Sequence, residues 1–339
     1  DHIKEAGELA PGYKVDSVYF GGGTPSQLAE EDFREVFETI RKYYGMEHCR
    51  EITLEANPDD LTPDYIAMLR TLPFNRLSMG IQTFNESILK VLQRRHTARQ
   101  AIEAFQNCRA AGFQNISIDL MYGLPGETLS TWQQDLDQAL LLHPEHLSAY
   151  HLIYEEDTVL WKLREQHKVE EADEDLSVSL FSTLIDRLTS EGYDHYEISN
   201  FSLPGLYSRH NSSYWTEKKY LGCGPSAHSY NGVSRQWNVA SLDTYIKGIS
   251  AGTPVFEIEE LDLYTRYNDF VITRIRTEWG MPLSKLRDEF GEKLYDYCLR
   301  MAAPHLKQGT LELVNDILKL TRKGIFISDG IMSDMLWTD

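Results

Sequence analysis

From Ser17 onward, short apolar runs alternate with longer segments in which apolar residues recur every three or four positions. The runs "SVYF", "REITLEANP", "NRLSMGIQTF", "NISIDLMYG", "HLSAYHLIY" and "HYEISNF" read as strands. Between them, "AEEDFREVFETIRKYY" places Phe33, Val36, Phe37 and Ile40 at helical spacing behind an acidic start that suits a helix N-terminus. "TPDYIAMLRTL" offers Thr62 as N-cap, Pro63 at the first helical position, and Ile66 and Leu69 as an apolar face. "NESILKVL", "ARQAIEAFQNCRAAG", "ETLSTWQQDLDQALLL" and "DLSVSLFSTLIDRLTSEG" continue the helical series. Strict alternation of strand and helix predicts a parallel sheet with crossover helices, whose ligand site lies beyond the carboxyl ends of the strands. Gly21 to Thr24, Glu55, Gln82, Asp119 and Glu197 all fall at or just past such ends. Their convergence on one rim points to a polar organic ligand carrying hydroxyls, an amine or carboxylates.

The three contiguous glycines of "SVYFGGGTPSQL" fit neither common phosphate cradle. No Lys follows them, as a P-loop requires, and their contiguity with Pro25 close behind departs from the spaced glycines of a dinucleotide fingerprint. They serve another ligand, or only a turn. The length of 339 residues suits two domains, or one barrel-sized domain with an appendage. With 33 Lys and Arg against 52 Asp and Glu, the formal charge of -19 disfavours non-specific nucleic-acid binding. No apolar run approaches membrane-spanning length, and the expected location is the cytoplasm, with peripheral membrane contact left open. Cys49, Cys108, Cys223 and Cys298 are scattered, without the spacing of a disulfide framework or a metal site. The chain opens on Asp1 in helix-like sequence, "DHIKEAGELAPGYK", so a preceding segment is expected.

Taken in order, "YFGGGTPSQL", "EANPDDLT", "NRLSMGIQTFNESILKVLQR", "IDLMYGLPGET" and "HNSSYW" resemble the radical S-adenosylmethionine (SAM) proteins related to oxygen-independent coproporphyrinogen III oxidase. The resemblance covers nearly the whole chain. It implies an incomplete (β/α)6 barrel of parallel strands over residues 1–200, with SAM lying across the strand ends. By motif, Gly22, Gly23, Thr24, Glu55, Gln82, Arg94 and Asp119 would contact that cofactor. Arg suits a carboxylate fork, and Asp suits hydroxyls or an amine. The family also holds a 4Fe-4S cluster on three closely spaced cysteines. No such trio occurs here, so the cluster ligands are expected upstream of Asp1, and residues 1–339 alone would lack radical chemistry.

The segment "YSRHNSSYW" is similar to a motif of the family's haem-chaperone branch, which implies haem binding by His210, Asn211, Tyr214 and Trp215 within a connecting segment, 201–262. A neutral imidazole is a good axial ligand, and an aromatic ring packs well on a porphyrin face. His228 is a second candidate ligand. Residues 263–339 resemble the family's C-terminal, mostly helical winged-helix-like domain: "MPLSKLRDEFG" and a further helix precede two short strands around Asn315 and Asp316. Their eleven basic and eleven acidic side chains form no basic recognition stripe, which favours packing or substrate covering over DNA binding. The implied activity is delivery of haem to acceptor haemoproteins. The alternative is oxidative decarboxylation of coproporphyrinogen III to protoporphyrinogen IX in porphyrin biosynthesis, and the reading leaves open whether the chain is an enzyme.

Overall fold

In a computed structural model that describes residues 1–9 and 12–338, the first five apolar runs pair side by side in parallel. They are β1 (Ser17–Phe20), β2 (Glu51–Ala56), β3 (Arg76–Gln82), β4 (Ile116–Tyr122) and β5 (His146–His151). The period of two sorts their side chains. Ile52, Leu54, Leu77, Met79, Ile118, Leu120 and Leu147 face a core completed by Phe33, Phe37, Ile66, Leu69, Phe105, Trp132, Leu136 and Leu184 from the crossover helices. Alternate positions carry Tyr19, Glu51, Thr53, Glu55, Arg76, Ser78, Ser117, Asp119 and His146, so the inner wall of this half-barrel is polar. The helices start where their caps predict: Thr62 Oγ1 accepts from Tyr65 N–H, and Pro63 is the first helical residue.

The sixth run departs from its reading as one parallel strand. "HYEISNF" folds back on itself, giving β6 (Asp194–Glu197) and β7 (Asn200–Ser202), and the sheet order is β1-β2-β3-β4-β5-β7-β6. β7 runs antiparallel to both β5 and β6. The reversal is held by Glu197, which accepts from the Ser199 N–H at 3.1 Å and from the Asn200 side chain. Without Gly or Pro at the turn, alternation alone does not separate one strand from a hairpin of two short ones.

Beyond β7, a short helix, Arg209–Trp215, precedes a three-stranded antiparallel sheet of β8 (His228–Tyr230), β9 (Ser234–Asn238) and β10 (Phe256–Glu260). The C-terminal part builds a second core from Tyr267, Phe270, Leu286, Phe290, Leu294, Leu318 and Met335. Its sheet joins β11 (Met281–Pro282), β12 (Leu311–Val314) and β13 (Ile317–Leu320), with Asn315 and Asp316 at positive φ in the turn, as that dipeptide favours. The helix expected from Met281 begins at Leu283, because Met281 and Pro282 pair with β13. The "DHIKEAGEL" opening is helical over His2–Leu9, and the rest of that quoted stretch includes residues 10 and 11, outside those described. Among the described residues no helix is long and apolar enough to cross a membrane.

Candidate functional site

β1 ends at Phe20, and the chain then crosses above β2 as an exposed ledge, Gly21 to Thr24. Gly21 has no room for a side chain: a Cβ there would lie 2.6 Å from Tyr19 Cε1 and 2.9 Å from Glu55 Oε1. Gly22 sits at φ +97°, and its N–H donates to Glu55 Oε2 at 3.2 Å. Glu55 Oε1 accepts from the Tyr19 hydroxyl at 2.6 Å. A Cβ on Gly23 would meet nothing within 4 Å, so nothing in the protein's own packing requires that residue to be bare. Thr24 leads into a 3-10 turn, Pro25–Gln27, pinned by Ser26 Oγ donating to Asp60 Oδ2 at 2.7 Å.

On β3 the register slips between Gly80 and Gln82, and Gln82 takes φ +71°, a strained conformation for a residue with a side chain. Arg94 Nη2 donates to Asn57 Oδ1 at 2.6 Å and to the Gly80 carbonyl at 3.0 Å, while its buried Nε has no partner. Burial lowers the Arg94 pKa. Asp119, in register with Gly80, accepts from Ser78 Oγ at 3.1 Å. Burial pushes its carboxyl up to about 6, with the Ser78 hydrogen bond pulling the other way. All seven rim residues therefore belong to the β1–β4 end of the half-barrel. Two acceptor carboxylates, an orphaned guanidinium nitrogen and a bare backbone ledge fit a molecule bearing hydroxyls, an ammonium and a carboxylate, as SAM does. A cluster is a different matter: among the described residues no group of three or more His, Cys, Asp or Glu is placed to hold a metal ion, so no iron–sulfur ligand set is present there.

The second group of predicted residues sits at the opposite end of the strands. Glu51, the first residue of β2 and only 3% exposed, accepts from Arg209 N–H at 2.9 Å and His210 N–H at 2.8 Å, fixing the start of the helix Arg209–Trp215. Asn211 completes that start by donating its N–H to Ser208 Oγ. The His210 ring stacks on Tyr19, with centroids 4.7 Å apart at 20°, and meets the edge of Tyr214 at 5.2 Å. Nδ1 is 3.1 Å from Ser17 Oγ and Nε2 is 3.0 Å from the Tyr214 hydroxyl. Both contacts are satisfied when Nδ1–H donates to Ser17 and Nε2 accepts from Tyr214, so the Nε2 lone pair is engaged by that hydroxyl. Burial pushes the imidazole pKa down to about 4, opposed by Glu51 and reinforced by Arg76, so the ring is neutral at physiological pH.

Trp215 turns away from this group and lies under the Arg276 guanidinium, 4.4 Å from its ring centre. His228 stands on the separate β8–β10 sheet, lining a cavity of about 570 Å³ with Trp237 and Glu257. Glu197 organises its hairpin and faces Arg276 at 3.9 Å. Ser17, Tyr19, Glu51 and Arg76 were not singled out from the sequence. Arg76 is 1% exposed, and its Nε and Nη2 have no hydrogen-bond partner among the described residues. The signal available was the polar phase of the strands: Glu51, Thr53 and Glu55 alternate with Ile52, Leu54 and Ala56.

The radical SAM superfamily model matches residues 1–139, and the HemN C-terminal domain model matches residues 261–327. The chain is 32% identical over 329 residues to a protein of Lactococcus lactis named heme chaperone HemW, covering 96% of this chain and 86% of that one. It is 30% identical to the heme chaperone HemW of Bacillus subtilis, covering 95% of this chain and 86% of that one. The coproporphyrinogen III oxidase (HemN) of Escherichia coli superposes with a TM-score of 0.84 at 22% identity, covering 98% of this chain and 80% of that one, a likeness of fold.

Proposed function

The chain belongs to the radical SAM family that its HemW relatives represent, and from that premise we propose that it is a haem chaperone: it binds haem at His210 and passes it to acceptor haemoproteins. The observation that carries this reading is an imidazole held neutral, clamped between Tyr19 and Tyr214, with Nδ1 engaged by Ser17 and Nε2 facing only a hydroxyl. A neutral imidazole with its second nitrogen fixed by a hydrogen bond is a competent iron ligand. Tyr214, 37% exposed, is the group that must withdraw for the iron to approach, and it then lies where it can pack on the porphyrin.

SAM occupies the other end of the strands in this reading. Glu55 and Asp119 would receive its hydroxyl and ammonium donors, Arg94 would hold its carboxylate, and the Gly22–Gly23–Thr24 ledge would let its body approach the backbone. Bound SAM would supply a reactive sulfonium. Residues 1–200 carry the rim, 201–262 the haem helix and 263–339 the covering domain. The acidic net charge of -19 suits protein acceptors over nucleic acid, in the cytoplasm.

Mixing the haem-loaded holoprotein with an apo-haemoprotein tests the proposal. Transfer of the Soret band to the acceptor is expected, with no protoporphyrinogen formed from coproporphyrinogen III under reducing, anaerobic conditions. Product formation without haem transfer would replace the chaperone by a decarboxylase.

A further inference from the structure

Tyr19 belongs to both groups of residues. Its hydroxyl donates to Glu55 Oε1 at 2.6 Å, and its ring lies against His210 at 4.7 Å and 20°. A continuous run of direct contacts thus leads from the Gly22 N–H through Glu55 and Tyr19 to His210, and on to Ser17 and Tyr214. We propose that Tyr19 couples SAM at the glycine rim to haem at His210, so that engagement of Glu55 by the cofactor releases the imidazole for iron. This inference rests on the haem-chaperone reading and specifies how that site is regulated.

Glu55 is the group on which the coupling turns. Its two oxygens already receive the Tyr19 hydroxyl and the Gly22 N–H. A cofactor hydroxyl or ammonium arriving at the rim shares the same carboxylate, and the short bond to Tyr19 is the contact it weakens. That bond holds the Tyr19 ring against His210 while Nε2 faces the Tyr214 hydroxyl, so neither imidazole nitrogen is free. Once the anchor at Glu55 is loosened, the Tyr19 ring can slide, and His210 can leave Tyr214 and present Nε2 to iron. Differential contact of this kind is what a coupling between two sites requires, and by linkage haem must raise the affinity for SAM by the same factor.

Gly21 supplies an independent way to disturb the contact. An added Cβ would press on Tyr19 Cε1 and Glu55 Oε1 together. Gly21→Ala and Tyr19→Phe should therefore act alike: one pushes the partners apart, the other deletes the hydroxyl and keeps the ring.

The test is the haem dissociation constant of the cluster-loaded holoprotein, measured by Soret titration with and without SAM under oxidising conditions that prevent SAM cleavage. In the native protein SAM is expected to tighten haem roughly five- to tenfold, within the usual range of allosteric coupling. In Tyr19→Phe and Gly21→Ala the cofactor-free affinity should already match that of the SAM-bound native protein, and SAM should add nothing. A native ratio of one, or a ratio preserved in both variants, overturns the coupling while leaving haem binding at His210 intact. Unchanged haem affinity in His210→Ala instead removes the chaperone reading itself, so the two failures are distinguishable.

Discussion

The two ends of the half-barrel are built on different principles. At the glycine rim, every ligand-facing group except Arg94 stands on or just after a strand, and sheet register alone brings Glu55 level with Ser78 and Gly80 level with Asp119. At the foot, His210 stands on a seven-residue helix, far too short to persist by its own hydrogen bonds. That helix exists because Glu51, more than 150 residues earlier in the chain, accepts its first N–H groups. The rim is preorganised by the sheet, whereas the foot depends on a few long-range contacts and is correspondingly easy to disturb.

Glu51→Ala exposes that difference with the largest expected effect. Three donors, Ser208 Oγ and the N–H groups of Arg209 and His210, lose their acceptor in a buried place, which should cost about 2–4 kcal/mol. Urea denaturation measures the loss, and haem binding should vanish in the surviving folded protein while SAM binding persists. Asp119→Asn is the converse change. SAM affinity should fall about tenfold, as loss of a charge-assisted hydrogen bond implies, with cofactor-free haem titrations unaltered.

The titrations of the two ends also differ in sign. Asp119 is an acceptor only when ionised, and its carboxyl is pushed up to about 6, so SAM affinity should weaken as pH drops through about 6; the Asn variant should lack this step. His210 has its pKa depressed to about 4, so haem ligation should stay flat between about pH 7.5 and 5.5. Stability follows by linkage. Between the ordinary histidine value of 6.5 and about 4, the unfolded chain takes up a proton that the folded one refuses, and stability therefore falls as pH drops across that window. A His210→Gln variant should show a shallower acid limb in equilibrium unfolding. The smallest effect on haem is expected from Arg276→Met, which removes the cation over Trp215 and the one facing buried Glu197, read as a fall in Tm with haem spectra unchanged.

The rim was more legible in the sequence than the foot, for a physical reason. Strand ends announce themselves through alternation and through glycines such as Gly21 and Gly22, so Glu55, Gln82 and Asp119 could be placed by pattern before any motif was recognised. Arg94 needed the motif, because it reaches the rim from the turn after a short helix. The foot is assembled by contacts spanning up to 193 residues, such as Ser17 with His210, and local pattern carries no trace of them. The same limit hid the β6–β7 hairpin, whose reversal rests on the Glu197 side chain and not on a turn residue with an obvious signature. The C-terminal turn at Asn315 and Asp316 was readable because those residue types tolerate positive φ.

Haem titration of the native protein and His210→Ala, followed in the Soret region, tests the haem assignment most directly. A band that saturates at one haem per chain in the native protein and is lost or shifted in the variant is the expected result. A native-like spectrum and affinity in His210→Ala would place the iron elsewhere and contradict the chaperone site described at the foot of the barrel.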